Sequence, residues 1–119
     1  MSRIRFALAA LAAAALTVVG TASAAPVKLS ATVGPGFTIS LKKGSKKVAK
    51  IKAGTYLIIV SDKSNIHNFH LTGPGLNKKT GIAFTGETTW KIKLKPGRYT
   101  YQCDPHAASG MKGHFKVTK

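Results

Sequence analysis

From about residue 27 onward, glycine and proline cut the chain into short runs, and this punctuation constrains the fold more than any other feature. The runs at 27–33, 37–41, 48–51, 55–61, 65–71, 88–94, 97–102 and 113–117 are rich in β-branched, aromatic and aliphatic residues. Gly34-Pro35-Gly36, Lys42-Lys43-Gly44-Ser45, Ala53-Gly54 and Lys95-Pro96-Gly97 separate them, and a loop is expected over 72–81. Several runs alternate with period two. Phe37, Ile39 and Leu41 share one face, and so do Trp90, Ile92 and Leu94. Short alternating strands at close spacing predict an all-β sandwich or barrel rather than α/β units. No amphipathic helical stretch competes with this reading. Pro105 biases Asp104 toward extended backbone, so a constrained loop is expected after Cys103.

The first residues read differently. Arg3 and Arg5 precede an Ala-rich apolar run at 6–19, and Ala22-Ser23-Ala24 offers small residues in an A-x-A pattern. This is the pattern of a secretory signal peptide over residues 1–24, with cleavage after Ala24. The apolar run is short for a membrane span of about 20 residues. Removing 24 of the 119 residues leaves 95, enough for a single domain at 25–119. An exported protein is expected, in the periplasm, the cell envelope or the extracellular space.

Charge narrows the partners. The chain carries 19 Lys+Arg against 3 Asp+Glu, for a net charge of +16. Beyond the leader Arg98 is the sole arginine, and the remaining cations are lysines, which suit bidentate base or phosphate recognition poorly. No dense basic arm is present, and lysines alternate with apolar residues, as in Lys91-Ile92-Lys93-Leu94-Lys95. Nucleic acid is not expected as a partner. Either the lysines serve solubility, or they attract an acidic protein or an anionic envelope surface.

One cysteine, Cys103, excludes an internal disulfide. Its neighbours give it a purpose. Within nine residues, Cys103, His106 and Met111 supply a thiolate, an imidazole and a thioether. Soft sulfur donors favour Cu(I), imidazole also accepts Cu(II), and a thioether adds little for zinc. A trigonal copper site needs a second imidazole, from His67, His70 or His114. If 65–71 is a strand, His67 shares a face with the apolar Phe69 and Leu71, which favours it over His70. His114 is expected at the surface. A Cys–His nucleophile is the rival chemistry, but it leaves Met111 and the second histidine without a role.

Cys103-Asp104-Pro105-His106-x4-Met111-x-Gly113, with Tyr99-x-Tyr101 before it and His67-Asn68 upstream, resembles the plastocyanin/pseudoazurin branch of the cupredoxins. The resemblance implies a Greek-key β-sandwich holding one type 1, or blue, copper per chain, which cycles between Cu(II) and Cu(I). It implies that His67, Cys103 and His106 are strong equatorial ligands and that Met111 is a long axial one. Asn68 would tie the two ligand segments together, and the ring edge of His106 would face a redox partner. Gly34, Pro35 and Gly36 would flatten the surface nearby. The implied function is one-electron transfer by a monomer, not enzymatic turnover. An envelope copper carrier or buffer is the alternative, but with Met1 and Met111 the only methionines, the extra Met clusters of such carriers are missing. Photosynthetic plastocyanins often display acidic patches. This basic chain should instead meet acidic redox partners near His106.

Overall fold

A computed structural model describes residues 25–119. The expected leader and its cleavage point lie outside the described residues. Ten strands form two five-stranded sheets. The first sheet contains β1 (Val27–Val33), β2 (Ile39–Lys43), β3 (Lys46–Lys47), β5 (Gly54–Asp62) and β8 (Gly86–Leu94), in the order β3-β2-β1-β5-β8. The second contains β4 (Lys50–Lys52), β6 (His70–Gly73), β7 (Leu76–Lys79), β9 (Gly97–Gln102) and β10 (Lys112–Thr118), in the order β4-β10-β9-β6-β7. Pairing is antiparallel except for β1 with β5 and β10 with β4. This is the all-β sandwich that the sequence leads one to expect.

One core lies between the sheets. Alternation along β5 buries Tyr56, Ile58 and Val60, and along β8 it buries Trp90, Ile92 and Leu94. The second sheet contributes Leu71, Tyr99, Tyr101, Phe115 and Val117. Two glycines make room for the tyrosines: a Cβ on Gly73 would overlap the ring of Tyr99, and one on Gly113 would overlap that of Tyr101. Gly113 stands directly across from Tyr101 in the β9–β10 ladder, so the ring lies flat over bare backbone. Phe115 stacks on Tyr99 with ring centroids 5.2 Å apart.

Four local expectations change. The expected strand at 65–71 starts only at His70, because Phe69 instead bonds to Thr80 through both its N–H and its carbonyl. The expected loop at 72–81 contains a hairpin, β6–β7, turning through Pro74 and Gly75. Phe37 precedes β2 and is 64 % exposed, so it does not join Leu41 in the core. The segment after Cys103 is a short 3-10 helix, Asp104–Ser109. Pro105 is compatible with it because it sits in the first turn, where its missing N–H costs nothing.

Candidate metal centre

One end of the sandwich gathers the segments that carry the predicted donors. His67 lies where the chain crosses from β5 in the first sheet to β6 in the second. Cys103 to Met111 connects β9 to β10. Backbone bonds close that connection on itself: Cys103 N–H donates to the Met111 carbonyl at 2.9 Å, His106 N–H to Cys103 at 3.1 Å, and Met111 N–H to His106 at 3.2 Å. Gly110 reverses the chain with φ 98°, a left-handed value that glycine adopts without penalty. The spacing of Cys103, His106 and Met111 is therefore the spacing of a compact, internally bonded turn.

The side chains converge. The Nδ1 atoms of His67 and His106 are 3.0 Å apart, and the Cys103 sulfur lies 3.6 Å from the first and 3.4 Å from the second. A point equidistant from all three is about 1.9 Å from each, worked from these separations, close to the 2.0–2.3 Å of metal–imidazole and metal–thiolate bonds. Two imidazole nitrogens and a thiol sulfur aimed at one point form a donor set of the kind that binds a soft or borderline metal ion. The residues therefore fit a bound metal ion. Cys103 and His67 are fully buried, and His106 is half-buried. Met111 is buried on the same turn, its carbonyl held by Cys103.

The other two histidine candidates stand apart. His114 is exposed on β10. His70 is bound outside the cluster, with Nδ1 at 2.8 Å from Asp104 Oδ1 and Nε2 at 2.6 Å from Asn77 Oδ1. The strand alternation that favours His67 over His70 in the sequence is absent at 67. His67, Asn68 and Phe69 are consecutive buried residues in a non-strand segment.

Asn68 joins the two donor segments. Its Oδ1 accepts from Asp104 N–H at 2.8 Å, and its Nδ2 donates to Asp104 Oδ2 at 2.9 Å. Gln102 Nε2 adds a bond to Asp104 Oδ1 at 2.9 Å. Burial raises the Asp104 carboxyl, but the hydrogen bonds from Asn68, Gln102 and His70, with the His70 charge, outweigh it and hold the group at about 2. The first sheet closes the site from its own side. Gly34 is buried with φ 71°, and a Cβ there would come within 3.1 Å of His67 Cδ2. Phe37 stands edge-on to both imidazoles, with ring centroids 4.8 Å from His106 and 5.5 Å from His67.

Two residues here escape the sequence reading. Phe37 looks like a core residue by alternation, yet it covers the site. Asp62 lies one position beyond the expected end of β5, but it continues the inward row of Tyr56, Ile58 and Val60 and is 2 % exposed. Its Oδ1 accepts from Ser64 N–H at 3.0 Å. Extending the alternation by one step would have flagged a carboxylate in an apolar row.

The model of the copper-binding proteins of the plastocyanin/azurin family matches residues 36–118. Among solved structures, reduced rusticyanin aligns with a TM-score of 0.59 at 25% identity, covering 76% of this chain and 78% of that one. Reduced auracyanin from the photosynthetic bacterium Roseiflexus castenholzii shares the fold, with a TM-score of 0.58 at 20% identity over 80% of this chain and 99% of that one. A multi-copper oxidase from Pediococcus acidilactici contains a similar fold in 27% of its length, at 16% identity and a TM-score of 0.54. With the sandwich, the converging Cys/His donors and a family match over most of the described residues, the chain belongs to the plastocyanin/azurin family of copper-binding proteins.

Proposed function

We propose that this protein is a one-electron carrier in which His67, Cys103, His106 and Met111 would hold copper. The observation that carries the proposal is the rigid convergence of Nδ1, Nδ1 and Sγ on one point, held by the Asn68–Asp104 clasp and the bonded turn from Cys103 to Met111. Copper bound there supplies a one-electron couple, Cu(II)/Cu(I), tuned by the thiolate and the thioether. The chain's own residues do the rest. They fix the donor geometry so that little needs to move between oxidation states. Burial of Cys103 and Met111 keeps water from the sulfur atoms. His106, the half-buried donor, is the shortest route from the site to a docked partner. Exposed Phe37 beside it gives that face an apolar contact.

Charge supports an acidic partner for a monomeric carrier acting outside the cytoplasm. Of the three carboxylates, Asp62 is buried and Asp104 is engaged by Asn68, Gln102 and His70. Among the described residues no lysine or arginine pairs with a carboxylate, so the lysines act as an open cationic field. Five of them, Lys43, Lys46, Lys47, Lys50 and Lys52, line one groove with Val27, at the opposite end of β1 from Gly34 and His67. That pole can rest on an anionic envelope surface while the metal face stays free.

The test is the visible spectrum of the protein with Cu(II), before and after a mild reductant. An intense band near about 600 nm that bleaches and returns reversibly is expected of a thiolate-ligated type 1 site. A weak spectrum with copper readily lost to a chelator would refute the carrier reading and favour a protein that passes on the metal itself.

A further inference from the structure

Two buried side-chain polar atoms have no hydrogen-bond partner among the described residues: Asp62 Oδ2 and His67 Nε2. Orphaned buried polar groups are rare because each costs about 1–3 kcal/mol. These two belong to one neighbourhood. Asp62 ends the inward row of β5 and is anchored to Ser64 N–H through its other oxygen. A Cβ on Gly34 would lie 3.3 Å from Ser64 Cβ and 3.1 Å from His67 Cδ2, the ring carbon bonded to Nε2. Gly34 thus touches both the Nε2 edge of the His67 ring and Ser64, whose backbone anchors the Asp62 carboxylate, so the two unpartnered atoms belong to adjacent residues of one buried neighbourhood. Burial pushes the Asp62 carboxyl up, against the Ser64 hydrogen bond and the attraction of the nearby His67 ring.

The donor set explains why the ring needs a partner there. His67 turns Nδ1 toward Cys103 and His106. A neutral imidazole that donates its Nδ1 lone pair to a metal carries its proton on Nε2. That N–H is then a buried donor, and the free Asp62 oxygen is a buried acceptor. We propose that Asp62 is a positioning residue for the copper site: its carboxylate accepts the hydrogen bond of His67 Nε2–H, directly or across one water. The contact fixes the tautomer and rotation of His67 and increases its donor strength toward Cu(II). The inference rests on His67 being a ligand, as proposed above. It explains why a carboxylate, and not another valine or isoleucine, ends the inward row of β5.

Three proteins test it: the wild type, Asp62→Asn and Asp62→Leu. The leucine completes the apolar row, so folding is retained even if the asparagine is poorly tolerated. The first readout is the reduction potential. Losing an outer-shell carboxylate costs about tenfold in Cu(II) affinity relative to Cu(I), which corresponds to a rise of about 59 mV for one electron. The second readout is the 15N-resolved Nε2–H signal of His67 in the diamagnetic Cu(I) protein. It should exchange slowly in the wild type and at least about tenfold faster in Asp62→Leu, where the charged acceptor is gone. A potential unchanged in both variants, together with an unaltered Nε2–H signal, overturns the proposal. A missing type 1 band in the wild type would instead defeat the ligand assignment, so the two failures are distinguishable.

Discussion

Replacing Asn68 with Ala cuts the clasp between the two donor segments while leaving every proposed ligand in place. Its cost follows from the bonds. The 2.8 Å bond from Asp104 N–H to Asn68 Oδ1 is a neutral backbone contact worth about 1 kcal/mol net. The 2.9 Å bond from Nδ2 to Asp104 Oδ2 involves a charged acceptor and would be worth about 1.5–3 kcal/mol if dry, but Asp104 is 33% exposed, so about 1 kcal/mol remains after solvent screening. The 3.4 Å contact to the Thr80 carbonyl lies at the limit of bonding and adds little. Asn68 is 2 % exposed, so the space left by the amide adds to the loss, for a total of about 2–3 kcal/mol. With a urea m value of about 1–3 kcal/mol/M, the unfolding midpoint of the copper-free protein falls by about 0.7–3 M. The same variant should bind Cu(II) with a broadened, weakened visible band, because Cys103 is no longer held against the His67 segment. A stability loss below about 0.5 kcal/mol with an unchanged spectrum would refute the claim that this clasp preorganises the site.

The other predictions address separate parts of the molecule. Gly113→Ala drives a methyl into the Tyr101 ring and should cost about 1–3 kcal/mol or more by thermal unfolding; a neutral result would mean that the ring has room to move. Met111→Leu should keep a coloured site but raise its potential by about 59 mV or more, read by voltammetry, since a donor to Cu(II) is lost; an unchanged potential removes Met111 from the site. Asp104 titrates at about 2 in the folded protein, below its ordinary value of 3.8. Its contribution is therefore complete above about pH 4 and lost as pH falls through about 2, so Asp104→Asn should flatten that part of a urea-midpoint against pH curve. Reaction with an acidic redox partner should slow as salt rises, and a rate independent of ionic strength would mean that the lysines serve solubility.

Much of this was legible before any coordinates. Apolar, β-branched and aromatic runs bounded by Gly and Pro located β1, β5, β8, β9 and β10, and in β8 the alternation was explicit because that strand buries one face. The Cys103, His106 and Met111 spacing was legible because a single bonded turn carries all three. The segment around His67 was not, since its burial comes from tertiary contacts: Asn68 meets Asp104 and Phe69 meets Thr80, both distant in sequence. The β6–β7 hairpin was hidden because Asn77, Lys78 and Lys79 are polar and exposed, which leaves no periodic signal on an edge strand. Phe37 was misread because its partners are the two imidazoles rather than the core.

The crossing of the chain at His67 has a mechanical consequence. His67 sits on the link between the sheets, and Cys103 to Met111 sits on a turn of the second sheet alone. A metal ion held by both would staple one end of the sandwich, stabilising the native state by an amount that grows with the logarithm of its concentration over its Kd. Among the described residues the far end has no such staple, and Lys43, Lys46, Lys47, Lys50 and Lys52 crowd it. The loaded protein should therefore loosen from its cationic pole inward, with amides of β3 and β4 exchanging first and those flanking Cys103 last.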